Sequence, residues 1–383
     1  MTVEDATVKH IEMTRGRLLG ALFVTVALVA GARLGAGAAP ASTAAAGASQ
    51  RLLVAGGPLL HGSGELREVA VAGSLAATVR QVGSRERGPL WLAWEVAATP
   101  ALGNACCFDE KFRGAGCRLE SQRQSWGTRG DGRLGTGREL VLARWAGGEV
   151  ERVRAVSTSC EIDSGGLPLV YLTDVDVAES VALLDGLVRR GGDRRRDRSE
   201  PLAALAYHAG RAADEALHRL AADDRPSDDR EQALFWIGQA RGEEGARFLA
   251  GVARTDPSPD IRKKAVFSLS QNEAPSAIPA IVEVAKTDRD PDVRGEALFW
   301  LAQSGAEQAP RVLLARLDED PSREVRKKAI FAISQLEDGE GVPLLLRIAR
   351  ERRDPDVRRE ALFWLGQSDD PRAIDFFAEV LGQ

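Results

Sequence analysis

From Pro226 to the end of the chain, apolar residues fall every three or four positions in short blocks, and the blocks themselves recur. The Phe of Ala233-Leu234-Phe235-Trp236-Ile237-Gly238-Gln239 returns at Phe267, Phe299, Phe331 and Phe363, each 32 residues after the last, and the Gln keeps step at Gln271, Gln303, Gln335 and Gln367. A fixed period of this size marks a solenoid, whose units cannot bury their own apolar faces and stack on their neighbours. Each unit reads as two helices. In the second unit, Pro259 opens a helix running to about Gln271, with Asp260 near its positive end. After the turn at Asn272 to Pro275, a second apolar run passes through Ile278, Ile281, Val284 and Ala285, and the polar linker Asp288 to Asp290 precedes Pro291. The second-helix column Leu249, Ile281, Leu313, Leu345, Phe377 is apolar throughout, whereas its neighbour Val252, Val284, Arg316, Ile348, Val380 is broken by Arg316.

Finer columns predict how the stack is held. Arg230, Arg262, Arg294, Arg326 and Arg358 form one, and Asp228, Asp260, Asp292, Glu324 and Asp356 form another two residues earlier. Residues two apart do not face each other on a helix. The expectation is a ladder in which each Arg reaches an acid of an adjacent repeat. Trp236, Trp300 and Trp364 alternate with Ser268 and Ala332, as do Lys264 and Lys328 with Glu296 and Glu360, so the pattern also has a period of 64. Large against small predicts interdigitation of stacked helices, with Trp300 in the core. On a wheel of about 100° per residue with Ala297 at the origin, Phe299 and Gln303 fall on the outer face. The columns Phe235, Phe267, Phe299, Phe331, Phe363 and Gln239, Gln271, Gln303, Gln335, Gln367 then make an apolar stripe rimmed by amides. Such a stripe either binds a partner, here a protein or peptide, or is covered by another part of the chain.

The segment Val293-Arg294-Gly295-Glu296-Ala297-Leu298-Phe299-Trp300-Leu301-Ala302 resembles the Val-Arg-x-x-Ala-x-x-Ala-Leu-Gly pattern of the phycobilin-lyase type of HEAT repeat, with Trp300 at the second Ala of the pattern. The resemblance covers roughly residues 226–383 as five repeats, and a degenerate copy at 201–225 starts near Ala204-Leu205-Ala206-Tyr207. It implies a right-handed superhelix of helix pairs serving as a scaffold, not lyase activity. An iron-dependent hydroxylase branch of HEAT proteins carries His-Glu pairs. From Ser227 onward this chain has no His; its four are His10, His61, His208 and His218.

Residues 50–190 differ in composition and read as a small α+β domain. Gly73 to Val82 suits a short helix with Ser74 as a candidate N-cap, Leu90 to Val96 suits a strand, and Glu139 to Trp145 with Val150 to Val156 suits a hairpin. Leu169 to Thr173 is a further strand and Val177 to Val188 a closing helix; Gly103 to Gly137 forms a Gly-rich loop, and the charged stretch around 191–200 reads as a solvated linker. The fold class expected is therefore an all-α superhelical solenoid preceded by a small α+β domain.

All four cysteines, Cys106, Cys107, Cys117 and Cys160, lie in this domain. The neighbours Cys106 and Cys107 bridge each other only with strain, so each is expected to take one of Cys117 and Cys160, the connectivity staying open. Zinc is the rival, disfavoured by the vicinal spacing and the lack of a nearby His.

The compartment follows from the N-terminus. Arg15 and Arg17 precede the apolar run Leu18 to Ala30 and the small residues Gly35 to Ser42, the order of a signal peptide over 1–40, with Met13 as an alternative start. Uncleaved, the run would be a membrane anchor. Either way the folded part is expected outside the cytoplasm, in the periplasm or cell envelope. With 51 Lys and Arg against 56 Asp and Glu, interspersed along the array, no basic face points to nucleic acid. The Gly130 to Gly135 stretch does not sit between strand and helix as a phosphate loop would, and His61 has no Ser or Cys at a recognisable spacing. The reading is an exported noncatalytic scaffold without a cofactor. The alternative is an enzyme or cofactor-maturation factor with its site in the Cys-rich loop.

Overall fold

The computed structural model describes residues 50–53, 59–62, 65–109, 117–121, 124–127, 136–190, 195–222 and 225–381. The signal-like segment and the Gly130 to Gly135 stretch lie outside the described residues, as does the side chain of His61.

The N-terminal part is built on a five-stranded mixed sheet. β3 (Leu66–Ala70), β11 (Leu169–Thr173), β4 (Leu90–Ala97), β8 (Arg138–Ala146) and β9 (Glu149–Ser157) lie side by side in that order, with β11 parallel to both neighbours and β4, β8 and β9 antiparallel. Both faces of the sheet are buried, which is why β4 reads as the nearly continuous apolar run Leu90-Trp91-Leu92-Ala93-Trp94. Alternation decides which side each residue serves. Trp91, Ala93, Leu140, Leu142 and Tyr171 face the cysteine layer, made of β1 (Gln50–Leu53), β2 (Leu59–Gly62), β10 (Ile162–Asp163) and β6 (Cys117–Arg118), plus the paired strands β5 (Cys106–Asp109) and β7 (Gln124–Gly127). Leu92, Trp94, Val141, Ala143 and Val170 face helices α1 (Leu75–Arg85) and α2 (Val177–Arg190). Ser74 takes the N-cap position of α1 without a side-chain bond; the first amide, Leu75 N–H, donates instead to Glu179 Oε2 at 3.1 Å.

Gly83 marks the tightest contact on that face. A Cβ there would meet the Trp145 indole at 2.3 Å, and the ring is buried against rigid sheet. Gly83→Ala is expected to cost about 1–3 kcal/mol as overpacking, read as a lower denaturation midpoint. An unchanged midpoint would mean that α1 is free to lift off the sheet.

The charged stretch is not a loose linker. α3 (Arg195–Tyr207) begins inside it, and Arg198 pairs with Asp229 at 3.0 Å. Helices α3 and α4 (Arg211–Leu220) form a first pair, and five further pairs follow: α5 (Ser227–Ala240) with α6 (Gly242–Thr255), α7 (Pro259–Ser270) with α8 (Ala277–Thr287), α9 (Pro291–Gln303) with α10 (Ala309–Glu319), α11 (Arg323–Ser334) with α12 (Gly341–Glu351), and α13 (Pro355–Gly366) with α14 (Pro371–Leu381). The apolar core runs without interruption from the helix-covered face of the sheet through α3 into the last pair. Sheet and array therefore fold on one core.

Three of the linkers between pairs are closed by an Asp. Asp256, Asp288 and Asp320 accept the amide two residues on, at 2.9, 2.8 and 3.0 Å, and each also receives the Arg of its own repeat. Arg262 and Arg294 make two-pronged contacts with Asp288 and Asp320 at 2.8 to 2.9 Å, and Arg230 bonds Asp256. The expected partners were wrong. Asp260, Asp292 and Asp356 sit in the exposed first turns, where Lys263, Lys328, Arg323 and Arg359 reach them. The linker acids win because the Arg, pointing toward the second helix, ends at that helix's last turn. The ladder stops at the fourth repeat, where Arg352 replaces the Asp: Arg326 bonds only the carbonyls of Asp320 and Pro321, and Arg352 turns to Asp318. The helix caps obey the double period, with Ser258 and Ser322 alternating with Asp290 and Asp354.

Candidate binding surface

Successive first helices (α5, α7, α9, α11, α13) pack along one another more closely than do successive second helices, so they form one continuous row. The Phe column lies on this row, and it is not the isolated outer stripe that the wheel predicts. Phe235, Phe267, Phe299 and Phe331 are half-buried, and only Phe363 at the end is 54% exposed. The rings touch one another. Tyr207 meets Trp236 edge-on at 5.6 Å, Trp236 meets Phe235 at 5.3 Å, and Phe235 stacks on Phe267 at 6.2 Å. The line continues through Trp300, 4.8 Å from Phe267 and 5.0 Å from Phe299, to Phe331 at 5.8 Å, Trp364 at 4.8 Å and Phe363 at 5.0 Å. One unbroken aromatic ladder runs the length of the array.

The double period is its cause. Where the next repeat carries Trp, the indole fills the step between two Phe rings; where it carries Ala332, the Phe299 and Phe331 rings close directly to within 3° of parallel. Trp300 is thus half-buried in the ladder, its Nε1–H donating to Glu296 Oε1 at 2.9 Å, and is not the core residue expected. Trp364 makes the same contact with Glu360 at 3.2 Å. The wheel missed the Trp residues because it places a Cα, whereas an indole reaches across to the neighbouring helix.

The amides divide by the same alternation. Gln271 and Gln335 are half-buried and donate to Ser270 and Ser334 Oγ at 3.2 and 3.1 Å, while those hydroxyls donate to the carbonyls of Phe267 and Phe331. Gln239, Gln303 and Gln367 are exposed. Lys264 lies over the Phe267 ring at 4.8 Å. At Arg316, where the second-helix column breaks, the guanidinium pairs with Glu319 beside the exposed end of its helix.

A second cluster carries the residue types of nucleophilic catalysis. Ser180 Oγ lies 2.7 Å from His208 Nε2, and His208 Nδ1 lies 2.8 Å from Glu139 Oε2. All three are wholly buried where α2, α3 and β8 meet. Trp94 Nε1–H donates to Ser180 Oγ at 2.8 Å, and His208 Nδ1 also lies 3.0 Å from the Ala204 carbonyl. Wholly buried, these groups tie the sheet to the array. Their distance in sequence hid them from spacing arguments.

Neither Glu139 oxygen makes a well-aligned hydrogen bond, and burial pushes its carboxyl above the usual range against the pull of His208 and Arg241. A raised carboxyl gives stability that is full below its unfolded pKa and lost as pH rises through the folded one. Relative to Glu139→Gln, the wild type is therefore expected to lose stability in urea titrations on going from about pH 5 to about pH 8. Parallel pH profiles for the two proteins would show that Glu139 does not change protonation on unfolding.

In the cysteine layer, Cys106 bridges Cys160 and Cys107 bridges Cys117, and no described cysteine is free.

Residues 213–302 and 310–383 match the HEAT-repeat family. The array is built of HEAT repeats. Among solved structures, the chain is similar to the complex of CpcE and CpcF of phycocyanin lyase from Nostoc (20% identity, 41% of this chain and 99% of that one, TM-score 0.31). It is also similar to human deoxyhypusine hydroxylase (16%, 51% and 80%, TM-score 0.27) and to the condensin Cnd3–Cnd2 subcomplex of S. pombe (19%, 55% and 29%, TM-score 0.32). No curated protein matches the sequence.

Proposed function

We propose that this chain is an exported, noncatalytic scaffold whose HEAT array captures a protein or peptide along the aromatic ladder. The observation that carries the reading is the ladder itself: nine rings in continuous contact along the first-helix row, half-buried except for the exposed Phe363 and flanked by the exposed amides Gln239, Gln303 and Gln367. Aromatic faces supply binding area at little entropic cost, and an amide offers both a donor and an acceptor to a backbone laid beside it. Export is supported by the two disulfides, which belong to oxidising compartments, and by the order of the N-terminal segment. No helix among the described residues is long and apolar enough to cross a membrane.

The exposed amides give a test with no stability cost built in. A Gln239→Ala, Gln303→Ala chain is expected to melt like the wild type and to retain less partner from a cell-envelope extract. Equal recovery by both chains would take the amides out of the site.

A further inference from the structure

The amides beside the ladder are not equivalent, and the residue before each one decides its state. Gln271 and Gln335 follow Ser270 and Ser334 and donate to those hydroxyls. Gln239, Gln303 and Gln367 follow Gly238, Ala302 and Gly366, which offer no hydroxyl, and they stand exposed. The exposed amides belong to the repeats that carry the indoles. Trp236 and Gln239, Trp300 and Gln303, and Trp364 and Gln367 are each three residues apart, which puts both side chains on one side of a helix. The row therefore presents the same unit, a half-buried indole beside an exposed amide, at every second repeat.

Charge, polarity and spacing limit what fits there. Glu296 and Glu360 accept from the indoles, Lys264 lies over Phe267 and Lys328 reaches Asp292, so charges beside the ladder are engaged within the row and the surface complements an uncharged ligand. The helix backbones of the row pair within themselves, so a segment laid across them meets only side-chain partners. An ordinary extended segment would strip water from its N–H groups without replacing it. Proline has no N–H to strip, and its carbonyl accepts from a Gln amide. A polyproline II helix turns once in about 9.3 Å, and packed helices lie about 8–10 Å apart. One turn of such a ligand advances one repeat, and two turns advance one indole–amide unit.

We propose that the partner segment is proline-rich and lies along the first-helix row as a polyproline II helix, read once every two turns by an indole and the amide beside it. This rests on the ladder being the binding surface. Proline rings seat against aromatic side chains, and the helix is already formed in the free ligand, so little order is lost on docking.

The test uses the full chain and a fluorescent oligoproline of about 15 residues, whose length of about 46 Å spans all three units. Saturable binding is expected, with a Kd at least about tenfold weaker for an oligoproline of about 5 residues, which covers one unit. A Gly-Ser peptide of the longer length should not bind. Trp300→Leu should weaken the longer probe about fivefold or more. Gln303→Ala, at an exposed position that leaves folding intact, should weaken it about threefold. Binding of the probe that survives both substitutions, or equal binding of the Gly-Ser peptide, overturns the proposal. So does a chain that captures its partner from a cell-envelope extract, loses it when Phe267, Phe299 and Phe331 become Leu, and ignores oligoproline; that result keeps the ladder as the site and removes proline as its ligand. Partner capture undiminished in the Leu triple would instead show that the ladder reading itself has failed, and the proposal falls with it.

Discussion

Asp288→Ala is expected to destabilise the array by about 3–5 kcal/mol, the range for removing one partner of a buried pair. The side chain of Arg262 is 1% exposed and that of Asp288 4%, so the orphaned guanidinium would keep only the carbonyls of Asp256 and Pro257 and has no water to turn to. The same substitution removes the acceptor that closes the linker at Asp290 N–H. Two adjacent repeats lose their geometry together, since coupling in a solenoid is between nearest neighbours. Urea denaturation measures the loss, and hydrogen exchange should place it in α7 to α9. Arg358→Ala is the contrast: its guanidinium bonds one carbonyl, that of Ala349, and its removal should cost less than about 1 kcal/mol. Equal losses at the two sites would mean that the linker carboxylates do not hold the repeats.

The second large effect is on binding. Changing Phe267, Phe299 and Phe331 together to Ser removes the middle of the ladder, and partner capture is expected to fall at least about 30-fold, the loss attached to a hot spot of about 2 kcal/mol. These rings are half-buried, so the Ser triple should also melt lower, unlike substitutions at exposed positions. The Leu triple separates the two effects. It keeps apolar volume between the helices but offers no ring face, so it should retain most of the melting temperature and still lose the partner. Wild-type binding by the Leu triple would show that the rings are packing and that recognition lies elsewhere.

The sequence by itself determined whatever depends on local period. The 32-residue step sets the helix pairs, and the alternation of Trp with Ser268 and Ala332 sets a double unit, visible again in the paired caps and in how the rings meet. The apolar run of 90–96 and the turn-separated runs of 139–145 and 150–156 likewise placed the central strand and the hairpin within a residue or two. What spacing cannot encode is where a long side chain ends. Arg262 and Asp288 are partners because a guanidinium spans from one helix to the close of the next, and Trp300 joins the ladder because an indole reaches a neighbouring repeat. Only the tertiary structure brought Glu139, Ser180 and His208 together, sealing the sheet to the array where a solvated linker was expected. Only it paired Cys106 with Cys160 and Cys107 with Cys117. Contacts between residues far apart in the chain depend on how rigid elements dock, and docking is decided by burial of whole faces, which fixes the neighbours of a polar side chain only after the apolar surfaces have met.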